Sequence, residues 1–192
     1  MQGISLTLRK IVQLLDNHSI PHMLIGGLAL PAYGQIRATQ DVDIAIRASF
    51  EDSAKIQSNF RQEGFLLPSS AQPEAPLFLV TDLKRMVEVE IWTRPDGVFF
   101  DQELLKRRWK VRPFSDDPSF EMFVIGPEDF IVNKLARSDR RAQDEGDAAS
   151  VLARMKGKLD YQYLERRAKA AKVSEILEQI AERVTQTQER ND

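Results

Sequence analysis

Residues 23–46 read MLIGGLALPAYGQIRATQDVDIAI, and the fold turns on this stretch. The apolar run Met23-Leu24-Ile25 ends in Gly26-Gly27, helix-forming residues follow from Leu28 to Tyr33, and Gly34 breaks them. That order predicts a strand, a glycine turn and a short helix over 27–33. The segment Asp41-Val42-Asp43-Ile44-Ala45-Ile46 alternates with period 2. It predicts a strand with Asp41 and Asp43 on one face and Val42, Ile44 and Ile46 on the other. Two carboxylates on one strand face repel each other unless a cation lies between them, which makes the pair a candidate divalent-metal site. Backbone N–H groups at a glycine turn that opens a helix face phosphate oxygens readily, and glycine admits the close approach.

Each element has a plainer explanation. A D-x-D pattern also marks the solvated face of an edge strand, and Gly-Gly also makes a tight turn. Their succession within one short stretch favours a site. The glycines fit neither G-x-G-x-x-G nor the P-loop pattern, which excludes Rossmann and Walker readings.

Working outward, Leu8, Ile11, Val12 and Leu15 predict a helix over about 5–17, with Ser5 or Thr7 as its cap. A strand over 22–25 follows Pro21. Beyond the DVDIAI strand, Ile56 and Phe60 lie inward on a helix over 51–63 that Gly64 terminates. PSSAQPEAP, residues 68–76, is a loop by composition. Strands over 77–80 and 86–92 then flank a turn at 81–85, with Glu88 and Glu90 on one face of the second. Asp101 caps a helix reaching about Trp109, and further strands cover 111–114 and 120–125. From Pro127, a good first helical residue, the chain becomes helical over 128–138, 142–156, 161–171 and 174–186, with a polar tail from Thr185 that frays.

Asp41, Asp43 and one of Glu88 or Glu90 form a three-carboxylate cluster if their strands are neighbours. Such a set suits magnesium, which takes oxygen ligands and completes its shell with substrate phosphates. Lys134 sits at the edge of the face made by Phe130, Ile131 and Leu135. From there it reaches a triphosphate, or it snorkels at the surface. Asp144 and Asp147 stand three residues apart near Arg137, Arg140 and Arg141, either orienting those groups or forming a helix-face ion-pair set. Arg37 and Thr39 contact substrate or brace the loop. The basic run 106–112, KRRWKVR, fits a solvated amphipathic helix better than an RNA-binding patch. His18 and His22 have no partner at metal-ligand spacing.

Composition sets the frame. The 192 residues make one domain or a core with an appendage, and 42% hydrophobic with 29% charged residues is ordinary for a globular chain. A net charge of −2 gives no global signature of polyanion binding. The absence of cysteine removes disulfides, thiolate metal sites and a cysteine nucleophile, and it suits the cytoplasm. The N-terminus, MQGISLTLRK, carries no hydrophobic signal core, and no apolar run approaches a membrane span.

Taken together, GGLAL-x-x-YG-x-x-R-x-T-x-DVDI resembles the signature of the nucleotidyltransferase superfamily with the DNA polymerase β-type fold, and most closely its small branch related to the AbiEii toxins and stand-alone nucleotidyltransferases. Gly26-Gly27, Asp41 and Asp43 match its G-[GS] and D-x-[DE] elements; for the third acid Val89-Glu90-Ile91 fits best and Glu88 second. EDFIVNKLARSDRRAQDEGD resembles the lysine-bearing helical segment of that branch, mapping to Lys134, Arg141, Asp144 and Asp147. The resemblance covers about residues 8–155. It implies an α/β (α+β) fold: a polymerase β-like core with a mixed sheet over 1–125, and a C-terminal helical region over 126–192 packed on it. It also implies an Mg2+-dependent enzyme, with Mn2+ as a substitute, that transfers NMP from an NTP to a hydroxyl of RNA, protein or a small molecule and releases pyrophosphate. A toxin paired with an antitoxin is one form of this; a catalytically silent nucleotide- or partner-binding module is the alternative. By the same resemblance Asp41 and Asp43 hold the metal ions, while Glu90 binds one of them and helps deprotonate the acceptor. Gly26, Gly27 and Lys134 hold the β- and γ-phosphates, with Arg37 and Thr39 also at the nucleotide. Glu88, Arg141, Asp144 and Asp147 are further candidates.

Overall fold

A computed structural model describes residues 2–39, 41–114 and 117–189. The chain divides into two compact units. The first comprises Met1–Ala29, Ala38–Pro95 and Arg108–Val124, and the second Leu30–Arg37, Asp96–Arg107 and Ile125–Asp192.

The first unit is built on a six-stranded mixed sheet. Its strands are β1 (His22–Ile25), β2 (Asp43–Ile46), β3 (Leu77–Asp82), β4 (Val87–Trp92), β5 (Trp109–Val111) and β6 (Met122–Val124), in the spatial order β3-β4-β2-β1-β6-β5. β1 runs antiparallel to β2 with Ile25 abreast of Asp43, and β2 runs parallel to β4 with Asp43 abreast of Glu90. β1 also pairs in parallel with β6. The central position of β1 and β2 explains why every residue of both is buried: strands covered on two faces do not show an apolar/solvent alternation. Asp43 therefore shares its strand face with buried Ala45 and alternates with buried Ile44 rather than with water-facing side chains, and Asp41 lies ahead of the strand, exposed.

Helix α1 (Gln2–Asn17) buries Leu8, Ile11 and Leu15 completely. It starts before Ser5 and Thr7, so neither caps it. Thr7 instead donates its hydroxyl proton to Asp82 Oδ2 at 2.9 Å, joining the helix to the end of β3. Helix α2 (Phe50–Gln62) opens with a capping box between Ser49 and Asp52. It closes at Gly64, whose φ of +79° is the left-handed conformation expected there. The turn between β3 and β4 is shorter than the sequence pattern predicts, since Thr81 and Asp82 belong to β3 and Met86 takes the left-handed residue at φ 53°.

The basic run 106–112 is not a continuous helix. Helix α3 (Gln102–Arg107) takes in only the run's first two residues, Lys106 and Arg107, and Trp109–Val111 form β5 against β6. Its charges from Arg107 on have partners inside their own units. Arg107 donates to Asp160 at 2.6 Å, Lys110 and Arg112 both pair with Glu121, and Arg108 donates to the His22 carbonyl at 2.6 Å.

The second unit is helical: α3, α4 (Pro127–Ala136), α5 (Ala142–Arg154), α6 (Tyr161–Ala170) and α7 (Ser174–Glu189). Asp101 caps α3 through the Leu104 N–H at 2.8 Å. Packed against α5 and α6, α4 is buried from Pro127 to Leu135. Its polar side chains survive burial because each finds a partner. Glu128 accepts from the Asp160 N–H, Asp129 from the Tyr163 hydroxyl at 2.7 Å, and Asn133 donates to the Asp96 carbonyl. Helix α7 continues to Glu189, three residues beyond the helix end that the sequence predicts; 190–192 lie outside the described residues. No helix among the described residues is long and apolar enough to cross a membrane.

Candidate active site

In the first unit the site begins where β1 ends. Gly26 has φ +66°, and a Cβ placed on it would lie 2.0 Å from Asp43 Oδ2 and 2.7 Å from Cγ. Only glycine fits both the left-handed backbone and the carboxylate lying against it. This first glycine thus makes room for an acid. Gly27 opens a 3₁₀ helix, Gly27–Tyr33, not an α-helix. Pro31 inside it has no N–H to donate, and Gly34 at φ +83° ends it.

Asp43 is 8% exposed at the first position of β2. The parallel ladder sets Glu90 beside it, and residues abreast in neighbouring strands project to the same face. The two carboxylates share one donor. The indole N–H of Trp92, two residues further along β4, lies 3.0 Å from Glu90 Oε2 and 3.3 Å from Asp43 Oδ1. Ala45 is abreast of Trp92 on β2. Across this single-methyl residue the ring reaches its diagonal neighbour Asp43.

The remaining candidates fall elsewhere. Glu88 is exposed and opposite Thr81 on β3, two residues before Glu90. Among the described residues, no three acidic, histidine or cysteine side chains gather into a metal-holding group; Asp41 is exposed just ahead of β2. Thr39 is half-buried in the coil before it. The donor chemistry of the pair still fits magnesium, which is commonly held by one or two carboxylates and takes its other oxygens from phosphate and water.

Within the second unit the charged candidates form a cluster. Lys134 is 4% exposed, and its ammonium lies 2.8 Å from Asp144 Oδ1 and 3.1 Å from Asp147 Oδ2. It neither snorkels nor lies on a solvated helix face. Arg37 approaches Asp147 at 3.4 Å, while its Nε is buried without a hydrogen-bond partner among the described residues. Arg141 is exposed at the start of α5, and its backbone N–H donates to Asp144 Oδ2 at 3.1 Å. Burial pushes the Asp144 carboxyl up, but Lys134 and the Arg141 N–H outweigh it and hold the group below the usual range. The two anions and two cations form a set closed by buried salt bridges. Sequence reasoning named all four residues but not their mutual pairing, which depends on how α5 folds back on α4.

Trp92 escaped the sequence reading. Its one signal was the spacing Glu90-x-Trp92, which places an indole on the same strand face as a candidate acid.

Two solved structures share the fold. An antigenic nucleotidyltransferase-like protein from Paracoccidioides brasiliensis aligns over 95% of this chain and 93% of its own, at 18% identity and a TM-score of 0.54. The antibiotic-resistance factor ANT(2'')-Ia aligns over 88% and 90%, at 14% identity and a TM-score of 0.53. No curated protein matches the sequence. The family described as nucleotidyl transferase of unknown function (DUF2204) matches residues 4–186, nearly the whole length, and the chain belongs to that family.

Proposed function

We propose that this nucleotidyltransferase depends on a divalent cation, Mg2+ or Mn2+, and transfers NMP from an NTP to a hydroxyl of an RNA, protein or small-molecule acceptor. The observation that carries this reading is the Asp43–Glu90 pair: two carboxylates abreast on parallel strands, joined by one indole N–H, with Gly26 shaped to receive the first. A bound cation supplies charge neutralisation for the triphosphate and acidifies the attacking hydroxyl. Asp43 and Glu90 hold it, and Asp41, exposed just ahead of β2, adds carboxylate oxygen from the solvent side. Glu90, the more exposed of the pair, takes the acceptor proton. The backbone of Gly26-Gly27 meets phosphate oxygens. The acceptor oxygen bonds to the α-phosphorus, the bond from that phosphorus to the bridging oxygen breaks, and pyrophosphate leaves. Catalysis rests mainly on positioning and charge stabilisation.

The test is label transfer. The protein is incubated with Mg2+ and each α-labelled NTP, with cell RNA, protein or aminoglycosides as acceptors. Labelled product with wild type and none with Asp43→Asn supports the reading. Activity retained in Asp43→Asn refutes the metal assignment, and no transfer to any acceptor favours a nucleotide-binding module without turnover. Growth arrest on expressing wild type but not Asp43→Asn supports the toxin form.

A further inference from the structure

Two carboxylates side by side in the centre of a sheet repel each other, most of all where one is as buried as Asp43. Left alone, Glu90 has the freedom to swing its longer side chain toward solvent. One neutral donor opposes this. The Trp92 N–H lies within reach of an oxygen on each acid. Glu90 is two residues from Trp92 on the same face of β4, and Asp43 is the diagonal neighbour on β2. The contact with Glu90 has ordinary hydrogen-bond length, and that with Asp43 is slightly long. An indole has a single N–H and no acceptor, so this ring has no competing bond to make.

We propose that Trp92 is a positioning residue whose indole N–H holds Asp43 and Glu90 converged as a preformed cation site. The inference rests on the metal-dependent reading above. Groups that orient metal ligands typically change affinity by roughly 10- to 100-fold when removed. Trp92→Phe keeps an aromatic ring at the position and deletes the N–H together with the five-membered ring that carries it.

The probe is Mn2+ alone, followed through the electron paramagnetic resonance signal of the free ion. Binding to Trp92→Phe weakened by roughly 10- to 100-fold supports the proposal. The metal concentration for half-maximal activity should rise by the same factor, while the KM for NTP at saturating metal moves far less. Trp92→Phe binding Mn2+ as tightly as wild type overturns the role of Trp92 and leaves the metal site standing. Wild type that binds no Mn2+ overturns both. A second measurement needs no change at Trp92. In Trp109→Phe, where Trp92 is the remaining tryptophan, Mn2+ should quench the emission saturably, with the midpoint seen by resonance. Emission that stays constant while Mn2+ binds locates the ion away from the indole and overturns the proposal.

Discussion

Replacing Lys134 with Met tests whether the second unit is held by a buried charge cluster. Met keeps the length and most of the volume of the lysine stem, so packing changes little. What disappears is the ammonium 2.8 Å from Asp144 and 3.1 Å from Asp147, at side chains only 10% and 3% exposed. Removing one partner from such a set leaves buried charge uncompensated, at a typical cost of about 3–5 kcal/mol. Two cations remain nearby, Arg37 at 3.4 Å from Asp147 and Arg137 at 3.9 Å from Asp144. They offset part of the loss, so the lower end, about 3 kcal/mol, is expected. In urea at pH 7.5 that lowers the unfolding midpoint by about 1–1.5 M, taking a slope of about 2–3 kcal/mol per M.

The pH dependence carries the sharper test. In wild type the Asp144 carboxyl is held below its unfolded value. Its contribution is therefore present above the unfolded pKa and lost as pH falls through the folded one. Without Lys134 the sign inverts: buried unpaired carboxylates favour protonation, and folding is helped as pH falls. The gap between variant and wild type should therefore narrow toward pH 4. Lys134→Met/Asp144→Asn should recover a large part of the loss at pH 7.5, because deleting both partners is cheaper than deleting one. A midpoint shift below about 0.3 M at pH 7.5, or a gap that does not change with pH, refutes the reasoning.

Other expectations follow from the same geometry. Gly26→Ala forces a methyl into Asp43 and a left-handed backbone onto alanine, so label transfer should fall by about 100-fold or more; transfer within threefold of wild type would show that the Asp43 position is not critical. Glu90→Gln should abolish transfer while Glu88→Gln stays within threefold, and the reverse order would exchange their roles. Asp129 is fully buried, and burial, against the Tyr163 hydroxyl and Arg167, raises its carboxyl to about 6. Its folded pKa exceeds the unfolded one, so the stability it adds is complete below about pH 4 and is lost as pH rises through 6. A shift near two units is worth about 3 kcal/mol. Asp129→Asn keeps an acceptor for Tyr163 and should flatten the pH 4–6 stability profile; an unchanged slope would assign it to other groups. Ser49→Ala deletes the α2 capping box and should cost about 1 kcal/mol in denaturation.

Much of this fold is legible in local patterns because local physics decides it. Gly64 ends α2 since glycine alone takes φ +79° without strain, and Pro127 opens α4 since its missing N–H is not needed there. Reading failed where a distant partner decides. Thr7 looks like a cap, yet its hydroxyl serves Asp82, far along the chain. The basic run looks helical, yet Glu121, just ahead of the neighbouring strand β6, pairs with two of its charges. Lys134 looks like a surface residue until α5 brings two acids to it.

The same division runs through the candidate site. Its acids are visible in the sequence as chemistry, but which of them meet is a matter of register. Glu88 and Glu90 share one face of β4, and either suits the role by composition. The parallel ladder sets Glu90 abreast of Asp43, with the Glu90 N–H donating to the Val42 carbonyl at 2.8 Å. A slip of one residue would turn both glutamates to the opposite face. A slip of two would bring Glu88 beside Asp43 and move Trp92 out of reach of it. Trp92 is thus tied to the same register that selects Glu90, and the acid pair and its indole stand or fall together.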